Sequence, residues 1–236
     1  MTIGIIAAMA EELQHLVNNL TEKKETLILN QTYFCGKIGQ HEVVLVQSGI
    51  GKVMSAMSVA ILADHFGVSV IINTGSAGAV AKELKIGDVV VSDFLVYHDV
   101  DVTAFGYQYG QMASQPLYFQ SSPWLVEAFQ KVLKEQTISS KIGLIATGDS
   151  FIAGQKKIDD ILNHFPKTLA VEMEGAAIAQ AAINANCSFI VVRAISDTAS
   201  HDANITFSEF IKEASQKSAK VLIAFLNQLN FENNIN

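Results

Sequence analysis

Arginine is almost missing from this chain: of its 236 residues, Arg193 alone is one. Proteins that grip phosphate usually carry more guanidinium than that, so phosphate chemistry is disfavoured. Lysine does not make up the deficit, because 16 basic residues face 23 acidic ones for a formal net charge of -7. That balance leaves no electrostatic footprint for nucleic acid or an anionic membrane, and neither partner is expected. There are only two cysteines, Cys35 and Cys187, both in apolar surroundings and without metal-ligand spacing. They read as free buried thiols of a reducing cytoplasm. Three prolines make no Pro-rich linker, and no repeat or low-complexity stretch divides the chain. No apolar run reaches membrane-spanning length. The first residues, Met1-Thr2-Ile3-Gly4-Ile5-Ile6, lack a basic leader and read as a strand. A soluble, cytoplasmic protein is expected.

What the chain has instead is apolar bulk. Hydrophobic residues make up 50% of it and charged ones 17%, enough for a large buried core. Short apolar runs alternate with helical patterns from end to end. Residues 3–7, 26–35, 43–47, 68–73, 88–96, 142–147, 168–172 and 189–196 read as strands. Several are continuous Val/Ile/Leu stretches, as in strands covered on both faces. Residues 11–20, 52–66, 123–136, 155–163, 175–186 and 208–229 read as helices. The alternation predicts one α/β domain over residues 1–236, with a mixed, largely parallel central sheet flanked by helices. Residues 97–122, rich in Tyr, Phe, Gln and Gly, form the one long stretch without clear periodicity. Loops of that length in compact domains usually serve or cover a site.

Two strand-to-helix turns are glycine-rich: Ser48-Gly49-Ile50-Gly51-Lys52 and Asn73-Thr74-Gly75-Ser76-Ala77-Gly78. The first is no P-loop, since Val46 stands where glycine is required and Val53 where Ser or Thr is. It is no dinucleotide fingerprint either, because Met54 takes the third glycine position. Both turns fit a tight turn or a ligand contact, and their place at strand carboxyl ends favours contact.

Acids at strand ends carry more. In Ala170-Val171-Glu172-Met173-Glu174-Gly175, two carboxylates sit where an apolar strand enters a helix, on one face at strand spacing. Like charges there cost stability unless a ligand or donor needs them, or unless they serve the helix N-terminus. The run Ile190-Val191-Val192-Arg193-Ala194-Ile195-Ser196-Asp197 ends in an acid that is either a cap or a site residue. Arg193, inside that run, has to be paired or expelled. Glu12 follows the first strand and by itself reads as an ordinary first-turn helix acid. His98-Asp99-Val100-Asp101 lacks a complete metal-ligand set.

Taken together these segments carry a resemblance. Gly4-Ile5-Ile6-Ala7-Ala8-Met9, the two glycine turns, Tyr97-His98-Asp99, Val102-Thr103-Ala104-Phe105-Gly106-Tyr107, Gly148-Asp149-Ser150-Phe151-Ile152, Val171-Glu172-Met173-Glu174 and Arg193-Ala194-Ile195-Ser196-Asp197 occur in order. In this the chain resembles the 5′-methylthioadenosine/S-adenosylhomocysteine nucleosidases, from Ile3 to about Phe207. Ala7, Ala10, Ala113 and Gly175-Ala176 depart from the common pattern, and none of them is a candidate catalytic acid. The resemblance implies a nucleoside phosphorylase-like fold, a homodimer, and no metal or organic cofactor. It implies hydrolysis of methylthioadenosine and S-adenosylhomocysteine, and of 5′-deoxyadenosine, to adenine, in methionine salvage and biosynthesis. It also makes the His98 segment a structural loop.

The same resemblance distributes roles. Asp197 is implied to be the general acid toward adenine N7, with burial raising its pKa. Glu12 is implied to be the base that activates water, with Arg193 and Ser76 helping to hold both. Glu174 would accept the ribose hydroxyls and Met173 pack on the sugar. Adenine would lie against Phe151 with the Ile152 backbone reading its edge, and Gly78 would line the same pocket. Met9, Ile50 and Phe207 would enclose the 5′ group, joined by Val102, Phe105 and Tyr107 across a dimer interface. Paired carboxyl groups with opposite roles solve the analogous glycoside problem. The rivals are a phosphorylase on the same fold, which a carboxylate at Glu12 disfavours by repelling phosphate, and a nucleoside sensor without turnover.

Overall fold

The computed structural model describes residues 2–198 and 203–229. In chain order the elements are β1 (Ile3–Ala7), α1 (Ala10–Val17), β2 (Thr21–Ile28), β3 (Gln31–Ile38), β4 (His41–Gln47), α2 (Lys52–Asp64), β5 (Val70–Ala79), β6 (Val89–Tyr97), β7 (Phe119–Gln120), α3 (Pro123–Glu135), β8 (Ser140–Thr147), α4 (Gln155–His164), β9 (Thr168–Glu172), α5 (Gly175–Asn184), β10 (Ser188–Asp197) and α6 (Ala203–Gln228).

Successive side chains of a strand face opposite ways, so each Val/Ile run feeds two cores. Ile6, Val44, Val46, Ile71 and Val191 pack with Val59 and Leu62 of α2 and Ile178 of α5. Ile5, Val43, Leu45, Ile72 and Val192 pack the other way, against Leu13 and Leu16 of α1, Phe129 of α3 and Phe225 of α6. Each fully buried aliphatic side chain stabilises the fold by about 1.5–3 kcal/mol before entropy is counted. A smaller cluster gathers Val96, Ala146, Ile152 and Val171 under Ile158 and Ile161 of α4.

The strands join one sheet in the order β10-β6-β8-β9-β5-β1-β4-β3-β2, with β7 beside β6. Because β10 also pairs with β5, five strands (β5, β9, β8, β6 and β10) close on themselves. The mixed α/β architecture is as expected, but the sheet is not largely parallel: five described pairings are parallel and five antiparallel. One antiparallel contact matters most. Gly78 and Ala79, which end β5, meet Val171 and Ala170 near the end of β9. Strands running in opposite senses therefore bring their carboxyl ends to one place.

Residues 26–35 are not one strand. Leu29 and Asn30 take φ values of 46° and 62° and turn β2 back onto β3. Consecutive positive φ values mark a tight hairpin turn, and Leu29 carries none of the Asn-Gly signal that normally announces it. The long loop holds a short 3-10 turn, Thr103–Phe105, and the two-residue β7. No described helix is long and apolar enough to cross a membrane.

Candidate active site

Glu12 lies in the first turn of α1, immediately after β1, and only 2% of it is exposed. One carboxylate oxygen accepts the backbone N–H groups of Ala8 and Met9 at 3.0 and 3.1 Å. Its other oxygen accepts the backbone N–H and the hydroxyl of Ser76, each at 2.9 Å. The ordinary helix-acid reading is thus half the truth: Glu12 caps its own helix and is also pinned to β5. Residues 73–78 are not the strand-to-helix turn that their glycines suggested: β5 runs on through them to Ala79, and the stretch of strand that delivers Ser76 needs glycine. Gly75 has φ +152°, and a Cβ there would stand 2.5 Å from Arg193 Nη1 and 2.7 Å from Glu12 Oε1.

Arg193, on β10, is 1% exposed and answers the requirement that a buried cation be paired. Its Nη2 donates to Glu172, to Glu174 Oε2 at 3.1 Å and to Asn73 Oδ1 at 2.6 Å. Burial works against its charge, but Glu172, Glu174 and Glu12 outweigh that and push its pKa up. Among the described residues no hydrogen bond joins Arg193 to Glu12: Ser76 donates to Glu12, while Arg193 acts on it through charge and donates to Glu172 and Glu174. The strand order explains why: β9 and β10 both flank β5, so their terminal residues meet across it.

Glu172 was the acid with least to identify it, and its surroundings now do so. It accepts the backbone N–H of Glu174 at 3.0 Å and of Gly175 at 2.7 Å, closing the N-terminus of α5. The Thr147 hydroxyl donates to it as well. Glu174 itself accepts the Gly51 N–H at 2.9 Å. Desolvation raises its pKa to about 7, against the pull of Arg193 and with further upward pressure from Glu172.

Asp197 ends β10 and is 2% exposed, with the Ser196 hydroxyl donating to its Oδ2 at 3.0 Å. The β10–β5 register slips between Ile195 and Asp197, which face Ala77 and Gly78. Irregularities of this kind re-aim a side chain at the end of a strand.

These residues surround one cavity of about 360 Å³. Met9, Glu12, Ile50, Ser76, Gly78, Phe151, Ile152, Met173, Glu174, Arg193, Asp197 and Phe207 all line it. Phe151 and Phe207 meet edge to face with centroids 5.7 Å apart. Ile152 is buried, whereas Ile50 is 56% exposed at the mouth. Phe105 and Tyr107 do not line this cavity, and Phe105 is 82% exposed. Sequence reasoning missed Asn73 and Thr147. Asn73 had a signal, as the first polar residue after an apolar strand run; Thr147 had none, because its role depends on β8 lying beside β9.

Among the described residues no three His, Cys, Asp or Glu side chains gather to hold a metal ion. Asp99 is instead paired with Lys52 at 2.8 Å.

Residues 2–227 match the Phosphorylase superfamily. A 5′-methylthioadenosine/S-adenosylhomocysteine nucleosidase of Staphylococcus aureus is 45% identical over 227 residues, 96% of this chain and 100% of that one. The S-adenosylhomocysteine nucleosidase of Streptococcus pyogenes, solved in complex with 5-methylthiotubericidin, superposes with a TM-score of 0.96 at 63% identity, covering 98% of each chain. The nucleosidase of S. pneumoniae, solved with the transition-state inhibitor MT-ImmA, gives 0.95 at 62% identity over 98% of this chain and 100% of that one.

Proposed function

This chain belongs to the Phosphorylase superfamily and within it to the 5′-methylthioadenosine/S-adenosylhomocysteine nucleosidases, and from that premise we propose that its cavity hydrolyses the N-glycosidic bond of both nucleosides. 5′-Deoxyadenosine falls in the same substrate class, since the 5′ side is apolar and open around Ile50. The observation that carries the reading is one cavity holding two buried acids with different surroundings: Glu12 fastened by four donors, and Asp197 at the end of β10.

In this reading Asp197 gives a proton to adenine N7 as the C1′–N9 bond breaks. Glu12 takes a proton from the water whose oxygen bonds to C1′. Positioned acid–base groups of this kind contribute roughly 10²–10⁴-fold each. Glu174 accepts the ribose hydroxyls in charge-assisted bonds, and the acidic cavity favours the cation-like sugar of the transition state. Ser76 positions Glu12. Phe151 and Ile152 take the adenine, Met173 the sugar, and Met9 and Phe207 the 5′ substituent. Water is favoured over phosphate as nucleophile because the chain's one arginine already faces two carboxylates.

Phe105 and Tyr107 complete the 5′ pocket of a second copy, which makes the working unit a homodimer. Its place is cytoplasmic methionine salvage. The test is adenine release from a panel of 5′-substituted adenosines by the wild type, Asp197→Asn and Glu12→Gln. Both variants should lose at least about a hundredfold in kcat. A Glu12→Gln enzyme at near wild-type rate would remove Glu12 from its role. Unchanged turnover in Asp197→Asn would do the same for the acid.

A further inference from the structure

Three loops at the mouth of the cavity are tied together by side chains that do not line it. The Lys52 ammonium lies 2.9 and 2.8 Å from the two oxygens of Asp99. The Asp149 N–H donates to Asp99 Oδ2 at 2.8 Å, and the Lys52 N–H donates to Asp149 Oδ1 at 2.8 Å. Lys52 follows β4, Asp99 follows β6 and Asp149 follows β8, so the ring closes across three separate strand ends. Lys52 and Asp99 keep side-chain exposures of only 22% and 24%, which screens their attraction less than at an open surface. The adjacent amide is the one that matters for the site: Gly51 N–H donates to Glu174 Oε1 at 2.9 Å.

We infer that Lys52, Asp99 and Asp149 are positioning residues for the reaction, holding the Gly51–Lys52 turn so that the Gly51 N–H stays on Glu174. The inference rests on Glu174 being the ribose acceptor proposed above. Two consecutive amides at the start of α2 point at two carboxylates, one in the cavity and one in the ring, so displacing the ring displaces both. Gly51, at φ +98°, allows the approach: a Cβ there would stand 3.0 Å from Asp149 Oδ1.

Glu174 faces Gly51 from the turn, Arg193 and Asp197 from β10, Glu172 from β9 and Glu12 from α1. Among these, Arg193 and, to a smaller extent, the Gly51 hydrogen bond hold the pKa of Glu174 down. Loosening the ring therefore raises it, and the carboxylate form is lost at higher pH.

The experiment follows kcat/KM for adenine release from methylthioadenosine across pH, using the full chain. Asp149→Ala, at a half-exposed position, and Lys52→Met should each move the acid limb up by about one pH unit and raise KM more than kcat. Asp149→Asn keeps a carbonyl oxygen for the Lys52 N–H and should restore the wild-type limb. If the variants lose activity evenly at every pH, with the limb unmoved, the inference is wrong and the ring is only scaffolding. A wild type that releases no adenine strikes the nucleosidase reading instead.

Discussion

Glu172 shows how a residue can satisfy two readings at once. It caps α5 through Gly175 and pairs with Arg193, so a helix-end acid is also part of the site. Its charge presses upward on the pKa of Glu174, which burial has already raised to about 7. On the proposed role of Glu174 as the carboxylate that accepts ribose, activity should decline as pH falls through about 7. Glu172→Gln removes a like charge, and the acid limb of kcat/KM should move to lower pH, opposite to the shift from Asp149→Ala. A limb displaced upward would show that Glu172 acts mainly by steadying Arg193. Gly75→Ala tests the other crowded point, since its methyl would meet both Arg193 and Glu12. A loss of about 1–3 kcal/mol in chemical denaturation is expected, with kcat reduced further than stability explains. Glu12, Glu174 and Asp197 each read, by position alone, also as a helix-end or cap acid; only the resemblance of several segments in order singled them out. The pairing of Arg193 with Glu172 was not legible, because it exists only once β9 and β10 both lie against β5.

Among the elements, the strands that the sequence revealed best are those buried on both sides, such as β1 with its unbroken run of buried residues, whereas β5 was read only to Asn73 because its glycine-rich second half looks like a turn. The hairpin of β2 and β3 was hidden because nearly all of β2 is exposed and mixes charge with apolar residues, leaving no core face to read. Helix α6 begins at Ala203, ahead of the apolar pattern that marks it from residue 208 onward. Its hold on the sheet is testable. Phe225 stacks on Phe129 of α3 with centroids 3.7 Å apart, and both are fully buried. Phe225→Ala should cost about 3–5 kcal/mol in denaturant unfolding. The ring lies in the core beneath the sheet, away from the cavity, so KM for the nucleoside should stay near wild type.

At the scale of the whole molecule, several large apolar side chains stay exposed. Ile50, Val53 and Phe105 are 56%, 77% and 82% exposed, and Met54 and Met112 are 37% and 40% exposed. Apolar groups left open in this way often mark an interface. The proposed homodimer should sediment at twice the 25.5 kDa of one chain, and Phe105→Asp should shift it toward monomer while raising KM. A wild type active at full rate as a monomer would remove the partner-supplied Tyr107 from the account. Only the resemblance pointed to Ile50 and Phe105; composition and periodicity did not, since an apolar residue outside a strand run reads equally as core or interface until the fold places it.

In the proposed reaction water, not phosphate, attacks the sugar. Methylthioadenosine turned over in oxygen-18 water containing phosphate tests it most directly, with the released sugar read by mass spectrometry. One oxygen-18 at the anomeric carbon and a rate that does not depend on phosphate are expected. Formation of a sugar 1-phosphate, with turnover that stops when phosphate is withdrawn, would contradict attack by water.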